Sequence, residues 1–297
     1  MMPKTTLTED QIESVMRGMN IPAQPKIMLD LQTEQALPEP DLNEIARLIS
    51  RDVGISGRVL KAVNSPFFGL RNTITSIQKA VMLLGINCII NMVNAIAIRD
   101  ELTQTKDMSD DDIKDMNRFW DTAQEVALVS ATIARQIGFQ SPDEAYALGL
   151  FHNAGIPLLR ERFSNYNEVQ LESYSGKEKR IIDSENKLIS TNHAVVGFYI
   201  AKSWRLSANI CEAIQQHHNI IEMFGNSGNQ GSDVLNLLSI LKMAEHIVGN
   251  YQILGEHDTD IEWNECHDII FHYLGICEDD FDEIKTICQD MGIRATD

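Results

Sequence analysis

Apolar residues recur along this chain at helical spacing, and residues with capping chemistry stand where the runs begin. Phe119, Trp120, Ala123, Val126, Ala127, Ala131, Ala134 and Ile137 follow the i, i+3, i+4, i+7 rhythm of an amphipathic helix. Thr8 with Gln11, Asp41 with Glu44, and Thr75 with Gln78 each predict a reciprocal cap, the first side chain accepting from an early N–H while the second reaches back. The second cap opens a helix through Ala46, Leu48 and Ile49, and the third one with Ile77, Val81 and Leu84 on one face. Ser141-Pro142-Asp143-Glu144 combines an N-cap residue, a proline at the first helical position and acids in the first turn. Behind it, Ala145 to Leu159 predicts one apolar helix that delivers His152 and Asn153 to a buried position. No segment alternates at period two for long enough to argue a sheet. The expectation is an all-α fold of roughly a dozen helices, given a mean helix length of about 11–12 residues. Glycine- and asparagine-rich residues 225–231 predict a polar loop that separates the body from a final helical section.

Composition narrows the function. The chain has 297 residues, 43% hydrophobic and 23% charged, with a formal net charge of -18. That field repels nucleic-acid phosphates and anionic membrane surfaces, so neither is an expected partner. No run approaches the ~20 consecutive apolar residues of a membrane span, and the first residues hold no stretch of signal-peptide length. Cys88, Cys211, Cys266, Cys277 and Cys288 form no CxxC pair, which suits thiols packed as small apolar groups in a reducing, cytoplasmic setting. The acids from Glu256 to Glu283, Asp260 and Glu262 among them, read as a solvated face. No P-loop, dinucleotide fingerprint or Ser-His-Asp arrangement occurs.

Two further stretches carry a resemblance. The first is Val59-Leu-Lys-Ala-Val-Asn-Ser-Pro-Phe-Phe-Gly69. The second is Ile74-Thr-Ser-Ile-Gln-Lys-Ala-Val-Met-Leu-Leu-Gly85. Physically they are a helix, a stop at Asn64-Ser65-Pro66, an aromatic pair, and a second helix with a glycine C-cap. Together with Phe119-Trp120, residues 145–159, His193-Ala-Val-Val-Gly197, Trp204 and Ala213-Ile-Gln-Gln-His-His218, they resemble the HDOD domain. The resemblance covers about residues 20 to 220. It implies a multi-helical bundle related to HD-type metal-dependent phosphohydrolases, acting in bacterial signal transduction. It also implies an HDOD domain over residues 1–220, with a helical lobe of about 1–108 and an HD-like lobe from about 109. Residues 221–297 would complete the second lobe.

The same resemblance locates a worn metal centre. Thr122 stands where the first ligand histidine would fall, and His152-Asn153 where a His-Asp pair would be. His193, the pair His217-His218, and Glu245 in place of an aspartate are what remains. No Gly-Tyr-Pro motif follows the histidine pair, which speaks against the subgroup that cleaves cyclic dinucleotides. Asparagine offers one neutral oxygen where aspartate would bridge two cations, and two-metal hydrolysis needs that bridge. The leading expectation is therefore a non-catalytic regulatory module that acts by contact with signalling proteins and needs no cofactor. Two alternatives stay open. One is a metal-dependent phosphohydrolase for a nucleotide or phosphodiester. The other is a sensor that binds a divalent or transition metal, or a ligand, without turnover. The plainest reading of the histidines is that each is a satisfied core residue. Trp120 and Trp204 read as core anchors, Asn64 as a helix cap, and Arg160-Glu161-Arg162 as a surface turn.

Overall fold

Capping side chains mark the start of several helices. The computed structural model describes residues 17–293 apart from 20, 66, 67, 69, 71, 104–109 and 227–231. The Thr8–Gln11 cap, Pro66, Phe67 and Gly69 lie outside the described residues. Seventeen α-helices and no strand occur among the described residues, in two compact units.

Residues 22–107 form one unit of five helices: α1 (Lys26–Gln35), α2 (Leu42–Ser50), α3 (Val53–Val63), α4 (Ile77–Leu84) and α5 (Ile86–Thr103). Met28, Leu31, Ile45, Ile49, Val59, Val63 and Val81 fill its core. Asp41 caps α2 by accepting from Asn43 N, but the return arm differs from expectation. The Asp41 N–H goes to Glu34, while Glu44 pairs with Arg47, an i, i+3 neighbour of opposite charge. At α4 the cap is Ser76, one residue later than Thr75, and Gln78 donates to Asn43. Gly85, at φ 81, ends α4 as expected. Asn64 does cap α3, its Nδ2 donating to Leu60 O and Ile74 O while its Oδ1 accepts from Ile74 N.

The other unit comprises residues 108–297 together with 1–21. Its helices are α6 (Asp110–Gln136), α7 (Pro142–Phe151), α8 (Gly155–Arg162), α9 (Tyr166–Tyr174), α10 (Ile181–Ile189), α11 (His193–Ser203), α12 (Ala208–Gln216), α13 (Ile220–Asn226), α14 (Asp233–Val248), α15 (Asn250–Gly255), α16 (Ile261–Leu274) and α17 (Glu278–Asp290). α14 runs through the middle, against α6, α7, α12 and α16, and is buried almost all round. Trp120 and Trp204 are fully buried anchors in this core.

The apolar stretch 145–159 is two helices rather than one. Pro157 lacks an N–H and is tolerated only in a first turn, so a helix containing it must start just before it. α7 accordingly ends at Phe151, His152 to Ala154 form a turn, and α8 starts at Gly155. Gly155 has no room for a side chain, since a Cβ there would lie 2.2 Å from His193 O. The turn at His152 is thus pinned against the start of α11. No helix among the described residues is long and apolar enough to cross a membrane.

Candidate metal centre

Three imidazoles meet where α11 begins and α12 ends. Asn192 caps α11 through its side chain, which sets His193 as the first helical residue, and His217-His218 follow the last turn of α12. His193 Nε2 lies 3.2 Å from His217 Nε2 and 2.9 Å from His218 Nε2. All three residues are buried.

The other ring nitrogen of each has an acceptor. His193 Nδ1 is 2.8 Å from Glu185 Oε2, His217 Nδ1 is 2.7 Å from Ile214 O, and His218 Nδ1 is 2.6 Å from Glu262 Oε1. A carbonyl oxygen can only accept. Glu185 also accepts from the His193 backbone N–H at 3.0 Å and from Tyr166 Oη at 2.5 Å, which is the work of an ionised carboxylate. The Nδ1 atoms therefore carry the protons, and three bare Nε2 lone pairs face one another. Burial, joined by neighbouring positive charge, holds His217 and His218 well below the ordinary imidazole range, which keeps them neutral. Lone pairs at this distance repel unless a cation sits among them. Imidazole nitrogens bound tetrahedrally at about 2.0–2.1 Å would stand about 3.3 Å apart, close to the separations here. The triad fits a metal ion by donor type, protonation and spacing, and its Nδ1 acceptors supply the orienting contacts such ligands require.

His152 and Glu245 lie beside this triad, not in it. His152 Nδ1 is 2.7 Å from Gly149 O, and its Nε2 is 3.2 Å from Glu245 Oε1. Asn250 Nδ2 sits 3.4 Å from the first and 3.3 Å from the second. The His152 and His217 rings are edge to face with centroids 5.6 Å apart. Thr122 is buried on α6 and donates to Arg118 O at 2.9 Å, a contact internal to its helix. Asn153 is buried too, and its Oδ1 accepts no hydrogen bond from the described residues.

Four partners were not anticipated: Glu185, Lys242, Asn250 and Glu262. Lys242 Nζ lies 2.8 Å from Glu245 Oε2, an ionic contact, and donates to Glu262 Oε2 at 2.8 Å. Burial would raise the Glu245 carboxyl, but the Lys242 ammonium and His152 hold it well below the usual range. Burial raises Glu262, with the same ammonium pulling it back. The acidic run is accordingly not wholly a solvated face. Asp260 caps α16 and accepts from His246, and Glu262 turns inward. A lone lysine in the apolar run 234–248, three residues before Glu245, was the available signal. Arg160 likewise departs from a surface turn: it is half-buried in α8 and donates to Gln170 at 3.1 Å.

The adjoining cleft is small. Its cavity of about 40 Å³ is lined by Tyr174, Lys242, Glu245, Asn250, Tyr251 and Glu262, among others. A water needs roughly 10–15 Å³ on this measure, so a few waters fit there.

Known proteins place this architecture. The HDOD domain pattern matches residues 21–220. A curated uncharacterized protein of Treponema pallidum is 27% identical over 205 residues, covering 68% of this chain but 38% of its own length. This chain thus spans well under half of that relative. An HDOD domain protein of unknown function from Geobacter sulfurreducens has the same fold, with TM-score 0.68, 24% identity, and 95% and 97% of the two chains covered. A candidate phosphohydrolase from Shewanella amazonensis also matches, with TM-score 0.68, 20% identity, and 97% and 96% covered. The expected all-α fold and the resemblance drawn from the turn at Asn64 and the histidine motifs both hold: the chain belongs to the HDOD domain family.

Proposed function

We propose that this chain is a regulatory HDOD module whose three-histidine centre, His193, His217 and His218, holds one transition-metal ion and does not turn over phosphoesters. The observation that carries this reading is the convergence of three bare Nε2 atoms whose Nδ1 partners are already satisfied. Borderline metals such as zinc suit an all-imidazole set. Bound there, the ion supplies a positive charge that ties the start of α11 to the end of α12. Turnover is disfavoured by two features of this chain. Asn153 offers no bridging charge, and Glu245 and Glu262 are engaged by Lys242. The output would then pass through surface contact with a signalling protein. Val53, Met82 and Leu83 are exposed apolar side chains of the 22–107 unit that suit such contact.

The test is metal content of protein expressed with zinc, together with hydrolysis of bis-p-nitrophenyl phosphate. One ion per chain, lost in His193→Ala, and no hydrolysis is the expected result. Absence of a stoichiometric ion removes the metal reading. Metal-dependent hydrolysis abolished by His193→Ala would establish the second reading, a phosphohydrolase, which three imidazoles with a free coordination position would also permit.

A further inference from the structure

Lys242 is buried, 4% exposed, in the most enclosed helix of its unit. A lysine is almost never placed so unless paired. Its ammonium touches two carboxylates at once, Glu245 Oε2 and Glu262 Oε2, each at 2.8 Å. Each of those carboxylates reaches an imidazole with its other oxygen, Glu245 to His152 Nε2 at 3.2 Å and Glu262 to His218 Nδ1 at 2.6 Å. Beyond the ammonium, the Glu245 carboxylate also faces His152 Nε2 and the side-chain amide of Asn250, whose Nδ2 lies 3.3 Å from Glu245 Oε1 and 3.4 Å from His152 Nε2. Carboxylate oxygens and an imidazole nitrogen are the donor types that a divalent cation such as manganese or zinc takes. This set lies next to the three-histidine site, sharing the Glu262–His218 contact with it.

We propose that the Lys242 ammonium occupies a second cation position of this centre, so that the chain takes one metal ion where its other residues would accept two. The inference rests on the three-histidine reading and deepens it. The tethered ammonium supplies one positive charge shared by Glu245 and Glu262, and it cannot be exchanged, chelated or used to activate water. It adds a second reason, independent of Asn153, for a centre that binds without two-metal chemistry. Removing the lysine would leave a buried and a half-buried carboxylate facing the same space, which is unfavourable until another cation enters.

The experiment compares metal per chain in the wild type, Lys242→Met and Lys242→Arg after dialysis against manganese or zinc, with circular dichroism to check folding. One ion in the wild type, two in Lys242→Met and one in Lys242→Arg is the expected result. A thermal midpoint that rises with manganese in Lys242→Met well beyond its rise in the wild type would accompany it. If Lys242→Met folds only when the divalent cation is present, that dependence supports the proposal. If it stays unfolded at saturating cation, the cation cannot replace the ammonium and the proposal fails. One ion in both the wild type and Lys242→Met overturns the proposal and leaves the three-histidine site standing. No ion in the wild type overturns the three-histidine reading itself, and two in the wild type shows that Lys242 excludes nothing.

Discussion

Glu185 touches no ligand position of its own, yet three donors converge on it: Tyr166 Oη, His193 Nδ1 and the His193 backbone N–H. Partners that orient a metal-binding histidine are commonly worth about 10–100-fold in metal affinity. Glu185→Gln is expected to weaken zinc binding by about that factor while the protein remains folded. An unchanged affinity in a competitive zinc titration would show that His193 needs no orientation. Protonation gives a second expectation. His217 and His218 stay neutral in the folded chain well below the ordinary value of 6.5, because burial and nearby positive charge disfavour their protonation. The unfolded chain takes up those protons near pH 6.5, so it binds more of them as the pH falls. Stability of the metal-free protein should be flat above that point and should fall below it, by up to about 1.4 kcal/mol per pH unit for each imidazole. Urea midpoints that do not move between about pH 7 and pH 5.5 would contradict this. At this scale the sequence was half legible. The histidines stood in recognisable motifs, and His193, His217 and His218 do meet. Their counterparts were not visible, because Glu185 and Glu262 lie in ordinary polar surroundings along the chain and become ligand partners only through packing.

Single glycines and prolines set the elements in place. Gly155 lets α8 rest against the first residue of α11, and Gly149 brings α7 against α6, where a Cβ would lie 2.7 Å from Ala127 Cα. Gly155→Ala is expected to cost at least about 2 kcal/mol, since the clash is with backbone and cannot be relieved by a rotamer change. It should also displace His193 and lower zinc affinity. Full stability and full zinc binding in that variant would mean that α8 and α11 are free to separate. Helix existence was well read from sequence: apolar periodicity found α6, and capping residues found α2, α3, α4 and α7. Helix limits were read less well. Ser76 displaced Thr75 as a cap because the two hydroxyls are chemically equivalent and only the chain path chooses between them. The break after Phe151 was written in Pro157 but masked by the apolar run on both sides of it.

In the molecule as a whole, every side chain of the centre among the described residues comes from the unit that includes residues 108–297, and none from residues 22–107. Binding of an ion stabilises only the structure that binds it. Zinc is therefore expected to slow amide hydrogen exchange in α10, α11, α12 and α16 and to leave α1 to α5 unchanged. Equal protection of α1 to α5 would reveal coupling between the units. The formal charge of -18 adds a further expectation at this scale. It favours cation capture and a basic docking partner over nucleic acid. Electrophoretic retention of DNA at moderate salt would count against it.

The family pattern stops at residue 220, just after the last histidine of the triad, whereas Lys242, Glu245 and Glu262 come later in the chain. A protein cut at that boundary would inherit the coordinating half of the centre and lose the half that sets its charge. Two relatives with matching histidines could then differ in how many ions they hold, because the residues that decide the number lie past a domain border drawn on other grounds.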